Sequence, residues 1–223
     1  MDTAGIPWRA APIVALDLEG SGAQDRDDEA ILEIALVPII DARPALHAAY
    51  TTLINPGRPV PRRPWISPGL NDDVLAGAPT IDQVRPEFTA RLSGRIIVGH
   101  NISVDWRLLH RRCPAIHPKG LVDTLRLARH VHPEEKRHGL LALLHRHNLT
   151  GQVTELAPSS QPHRALWDTI GTALLLTALI DSLPGEDTPN LGELLRLAGL
   201  PITNKRLGQA SRAEPEQTSL LDL

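Results

Sequence analysis

The first hundred residues alternate short aliphatic runs with polar breaks, and longer helical periods follow them. Ile13 to Asp17 is a brief apolar run ending in an acid, which suits a buried strand. Ala30 to Ile40 is richly aliphatic, and Ala49 to Ile54 is β-branched and carries a tyrosine, so both read as further strands. Asn55 to Pro68 is broken repeatedly by proline, shows no usable period and reads as a loop. Thr80 is placed to cap a helix through Leu92, Arg95 to Gly99 is a fourth strand, and a helix over Ser103 to Arg112 is stopped by Pro114. Leu121 and Val122 suit a short fifth strand. Helices are expected over Thr124–Val131, Gly139–Asn148 and His163–Leu183, with an amphipathic one near Leu191–Leu200. Three strands followed by strand–helix alternation predict an α/β domain with a mixed sheet.

Composition narrows this picture only modestly. At 223 residues the chain can bury one substantial core, with room for a modest extension. A single cysteine, Cys113, excludes an intrachain disulfide framework and a cysteine-built zinc site. That cysteine use fits a reducing cytoplasm, and the N-terminus lacks the cationic head and apolar core of a signal peptide. The longest apolar run, Ala173 to Ile180, is far short of a membrane span, so no membrane partner is expected. Net charge is −3, yet residues 95–147 hold ten Lys or Arg against four Asp or Glu, and eight of the ten histidines. Such a stretch can follow phosphates while acids elsewhere hold metal, although a solvated helical surface would look the same.

Three segments carry candidate chemistry. Asp17 and Glu19 close the first strand two residues apart, so both carboxylates point to one face and can meet one cation. His100 to Asp105 leaves the fourth strand and enters a helix; Asn101 or Ser103 can cap that helix, and Asp105 gains from its dipole. His163 and Asp168 stand five residues apart, about 500° of rotation if both are helical, which sets them on neighbouring faces. Each segment alone has an ordinary structural explanation: a solvated acid, a cap, a surface histidine.

In order, however, they resemble the three motifs of the DEDDh family, the RNase H-like 3′–5′ exonucleases. The first family motif usually reads Asp-x-Glu-Thr-Thr-Gly, and here Gly20, Ser21 and Gly22 fill the last three places. The Asn101–Asp105 spacing with Leu109 matches the second, and His163 through Ala165, Leu166 and Asp168 match the third. Connecting phrases also agree: Asn55-Pro-Gly-Arg-Pro, Gly77-Ala-Pro, and Val122 to Arg129. The resemblance covers about residues 11–182. It implies a five-stranded mixed sheet flanked by helices and two Mg²⁺ or Mn²⁺ ions held by Asp17, Glu19, Asp105 and Asp168. It also implies that His163 is the general base, and that single-stranded 3′ ends are shortened one nucleoside monophosphate at a time. Asp123 is expected to be a supporting acid outside the ligand set. Gly20, Ser21 and Asn101 are expected to approach the terminal nucleotide, and Trp65 is the tryptophan best placed to meet a base. Trp8, Trp106 and Trp167 are expected to pack, and His110, His117, His130, His132 and His138 to be solvated.

The domain is expected to end near residue 183, with a helical extension over 184–210 and a tail over 211–223. The tail is polar, contains proline and ends in leucines, so it does not fold alone. Gln217, Leu220, Leu221 and Leu223 resemble the short sliding-clamp peptides of bacterial replication and repair proteins. Two alternatives stay open: an RNA-trimming enzyme with the same chemistry, and a clamp- or polymerase-associated binding module with little activity.

Overall fold

The computed structural model describes residues 5–184 and 188–202. The clamp-like residues Gln217, Leu220, Leu221 and Leu223 lie outside the described residues.

A single mixed sheet organises the chain. β1 (Ile13–Gly20) runs antiparallel to β2 (Ile31–Ile40) and parallel to β5 (Ile96–Gly99), which is parallel in turn to β6 (Gly120–Asp123). β4 (Tyr50–Leu53) pairs antiparallel with β2. To these five strands the structure adds two of two residues each, β3 (Arg43–Pro44) on β2 and β7 (Gly199–Leu200) on β6. The first addition follows from Asp41 and Ala42, whose positive φ angles of 49° and 64° make the tight turn a hairpin requires.

Because side chains alternate along a strand, β1 and β2 each feed two cores. Ile13, Ala15, Val37 and Ile39 face α7 (Ala165–Asp181), while Val14, Leu16, Ile34 and Leu36 face α2 (Ile81–Leu92) and α3 (Ile102–Arg112). The 17-residue α7 is apolar nearly all round because it is buried nearly all round. A Cβ at Gly171 would stand 2.8 Å from Leu144 Cδ1, so glycine lets α5 (Leu140–Arg146) lie close against α7.

Two short helices beyond those expected, α1 (Asp72–Ala76) and α6 (Thr150–Leu156), fill connections, joined by α4 (Thr124–Val131) as expected. The segment after Pro184, expected as an extension, packs into the same core. Within it α8 (Leu191–Ala198) opens with a capping box of Asn190 and Glu193 and buries Leu191, Leu194 and Ala198 in the cluster that holds α7. The expected start of the long helix needs correction. His163 has φ 64° and Arg164 is extended, so α7 begins at Ala165 and the helical rotation between His163 and Asp168 does not apply.

Candidate active site

The alternation that builds the α7-facing core continues to the end of β1, where the apolar side chains give way to acids. Asp17 and Glu19 follow Ile13 and Ala15 on that face, and Glu33 of β2 stands directly across from Glu19. β5 pairs β1 only as far as Ala15, so the strands part beyond it and leave a crevice outside their carboxyl ends. Open α/β sheets bind ligands in such crevices. α7 brings Asp168 in its first turn, and carboxylate oxygens of Asp17, Glu19 and Asp168 come within 4.8 Å of one another. Asp105, 8% exposed in the first turn of α3, approaches from the opposite side, and its Oδ1 accepts the Leu18 N–H at 3.3 Å. That amide has no strand to meet because β5 has already ended.

None of these four acids has a cationic partner within salt-bridge distance among the described residues. Their titration shows the consequence. Burial, then the neighbouring charges of Asp105, Glu19, Asp168 and Glu33, holds Asp17 well above the usual carboxylate range. Burial pushes Glu19 and Asp168 up to about 7 and Asp105 up to about 8. Hydrogen bonds from Ser67 to Glu19, from Leu18 to Asp105 and from the His163 amide to Asp168 offset part of each rise. Crowded carboxylates without a counter-charge fit a divalent cation, and an all-oxygen donor set suits Mg²⁺ or Mn²⁺.

His163 is exposed, and its left-handed backbone turns its N–H toward Asp168 Oδ1, 3.4 Å away. Its ring is near enough for a charge on it to favour the Glu19 carboxylate. Behind it lies a pair that the sequence did not suggest. Arg164 grips Glu33 with two hydrogen bonds, Nε to Oε2 at 2.7 Å and Nη2 to Oε1 at 3.0 Å, and the Ala165 N–H adds a third at 3.3 Å. This clasp ties the start of α7 to β2, and so fixes His163 and Asp168 against Asp17 and Glu19. Arg164 stands inside the third motif and Glu33 in a plain strand, and 131 positions separate them.

The expected substrate contacts are arranged unevenly. Asn101, at φ 61°, is exposed at the head of α3 without capping it through its side chain, and its amide donates to Asp123 Oδ1 at 2.8 Å. Asp123 also accepts from the Leu125 N–H, so it is the cap of α4, consistent with a supporting part. A Cβ at Gly20 would stand 3.2 Å from Leu108 Cδ2, so a side chain there would require Leu108 to shift slightly. Ser21 is fully buried, and its hydroxyl donates to Asp25 and accepts the Ala30 N–H; it faces the loop rather than solvent. Trp65 is 40% exposed, with its indole nitrogen against Gly22 and the Arg63 guanidinium over its ring. Trp8, Trp106 and Trp167 are buried.

Of the histidines expected to be solvated, His117 and His130 are exposed, while His110, His132 and His138 are partly buried and engaged. His110 stacks on Trp106 at 5.0 Å, and His132 and His147 approach at 3.0 Å between Nε2 atoms. His138 reaches the His132 carbonyl, and His100 donates in turn to the His138 carbonyl at 2.8 Å. Burial pushes His100 down to about 4, so it is a neutral tie across the end of β5. The basic stretch is likewise partly committed: Arg107 pairs with Glu29, while Arg111 and Arg112 bind backbone carbonyls of residues 26, 27 and 29. These three arginines brace a loop.

The chain has relatives among known proteins. The chain is 30% identical over 195 residues to a DNA polymerase III subunit epsilon-like protein of Rhodobacter capsulatus, covering 86% of this chain and 27% of that protein. It is also 30% identical over 192 residues to a PolC-type DNA polymerase III of Thermotoga petrophila, covering 84% of this chain and 13% of the relative. Among solved structures, a 3′-exonuclease described in 3′-end specific recognition of a histone mRNA stem-loop shares the fold. The TM-score is 0.55 at 14% identity, covering 80% of this chain and 73% of that one. The RNase_T exonuclease model matches residues 14–176, a span that contains every member of the acid cluster and His163, and the chain belongs to that exonuclease family.

Proposed function

We propose that the chain is a divalent-metal-dependent 3′–5′ exonuclease that releases nucleoside 5′-monophosphates from single-stranded 3′ ends of DNA. The observation that carries this reading is the convergence of Asp17, Glu19 and Asp168 within 4.8 Å, with Asp105 and His163 beside them, in a chain of the exonuclease family. Asp17, central to the cluster, Glu19 and Asp168 would hold one ion, and Asp17 with Asp105 a second. Two such ions, when bound, relieve negative charge on the scissile phosphate and the departing 3′-oxygen. The protein's own part is then geometric and protonic. His163, exposed at the rim, takes the proton of the water that attacks the terminal phosphate in line, a task suited to imidazole near neutral pH. Asn101 and Trp65 face the entering strand and orient its last nucleotides.

DNA is favoured over RNA because the sequence relatives are DNA polymerase III proteins, although the chain spans only 27% and 13% of their lengths. A place in proofreading or repair is our reading of that likeness, and clamp binding through Gln217, Leu220, Leu221 and Leu223 is proposed from their sequence alone as an accessory contact. The deciding experiment compares end-labelled single-stranded DNA, duplex DNA and RNA with Mg²⁺ and with Mn²⁺. Stepwise loss from free 3′-hydroxyl ends, abolished by EDTA and fastest on single-stranded DNA, is expected. Cleavage of closed circles, or full activity in EDTA, would refute the reading; preference for RNA would move it to a trimming enzyme.

A further inference from the structure

The Pro-rich loop between β4 and α1 reaches the acid cluster through Ser67. The Ser67 hydroxyl donates to Glu19 Oε2, and Ser67 is only 7% exposed. A hydrogen bond to one carboxylate oxygen narrows the orientations open to the side chain and leaves the lone pairs of the other oxygen available to a cation. Ser67 is itself held on both sides. Upstream, Arg58 and Arg63 each reach Asp25 at 2.6 Å, which pins the loop to the turn after β1. Trp65 packs its indole nitrogen against Gly22 in that same turn. Downstream, Gly69 has φ +85°, and a Cβ there would lie 3.7 Å from Arg164 Nη1, so the loop passes alongside the Arg164–Glu33 clasp. Proline on the C-terminal side, Pro68, restricts the Ser67 backbone to extended conformations.

From this frame we infer that Ser67 is a positioning residue of the metal site: it orients Glu19 for the cation, and the loop over 58–69 holds Ser67 at the required place. The inference rests on the metal-dependent reading above. Partners that orient a ligating side chain typically contribute about 10–100-fold to metal affinity or activity. Ser67→Ala should therefore weaken Mn²⁺ binding to the full chain by about 10–100-fold, measured by calorimetric titration without nucleic acid. The Mn²⁺ concentration for half-maximal turnover should rise by a similar factor while KM for a single-stranded 3′ end stays unchanged. Ser67→Thr, which keeps the hydroxyl, should recover most of the loss. Unchanged Mn²⁺ affinity in Ser67→Ala overturns the inference, as does a loss that Ser67→Thr fails to repair. A fall in metal-free melting temperature large enough to account for the weaker binding would also overturn it, by making Ser67 merely structural. If the unaltered chain itself binds no Mn²⁺ and cleaves nothing, the functional reading fails instead, so the two failures are distinguishable.

Discussion

Asp25, Glu29 and Glu33 follow Asp17 and Glu19 closely in the chain, yet the two groups of acids live under opposite rules. Each of the later three is paired: Asp25 with Arg58 and Arg63, Glu29 with Arg107, Glu33 with Arg164. Asp25 is held at about 2 by the Ser21 hydroxyl first and then by its two arginines, against the opposing effect of burial. Among the described residues Asp17, Glu19, Asp105 and Asp168 have no such partners, and all are raised. One set is therefore finished by the polypeptide, while the other is left for something the polypeptide does not supply. Stability and activity should respond to the two sets with opposite signs.

The largest effect is expected at the unpaired set. Asp17→Asn should abolish measurable cleavage in an end-labelled assay while raising the melting temperature of the metal-free protein, because one crowded charge is gone. A gain on the order of 1 kcal/mol would appear as about 2–4 °C. A lowered melting temperature would break the comparison. His163→Ala comes next, with turnover reduced about 10²–10⁴-fold and melting unchanged, since the side chain is exposed.

At the paired set the sign reverses. Arg164→Met strands a buried Glu33 carboxylate, and breaking a buried pair costs about 3–5 kcal/mol; partial exposure of Arg164 lowers the expectation to about 2–3 kcal/mol. Adding Glu33→Gln should return part of that stability, and chemical denaturation of the four proteins of the cycle measures the coupling. Additive losses would mean that the clasp is not a unit.

The smallest effect is in pH dependence. For Glu19, Asp168 and Asp105 the folded values exceed the unfolded ones, so their contribution is present below about pH 4 and is lost as pH rises through about 7 to 8. For Asp25 the folded value is depressed, so its contribution is present above about pH 4 and is lost as pH falls toward 2. The metal-free protein should therefore lose stability between pH 5 and 8, as followed by thermal melts, and Mg²⁺ should restore it most at the upper end. Binding of the ion near pH 7 should release protons, visible as a heat that varies with buffer ionisation enthalpy.

Much of this contrast lay open in the sequence, but unevenly. The acids of the three segments and His163 were legible because residue type and chain order carried them, and β1, β2 and α3 were legible from apolar runs and Pro114. The left-handed turn at His163 was hidden because a histidine before a strong helical pattern reads as helix, and only its backbone angle reveals otherwise. Glu33 lies in an aliphatic stretch that reads simply as a strand, and nothing local links it to Arg164. Ser67 and the Asp25 latch were hidden for the same reason: they join an irregular loop to the end of β1 and to the turn after it, more than thirty residues away, and no periodicity marks such contacts. His100 illustrates the converse, since a polar residue beside a motif invites a chemical role and here is spent on holding backbone together.

The two-residue strand β7 has a practical bearing on how this protein can be shortened. β6 would otherwise end the sheet with Leu121 and Val122 offering a free row of backbone donors and acceptors, and Gly199 and Leu200 occupy that row after α8 has folded across it. Bare edges of this kind template pairing with other chains. A version cut after Leu183 would keep every acid of the crevice and lose the guard of its outer strand. In light scattering such a fragment should grow into large particles at concentrations where the full chain stays dispersed.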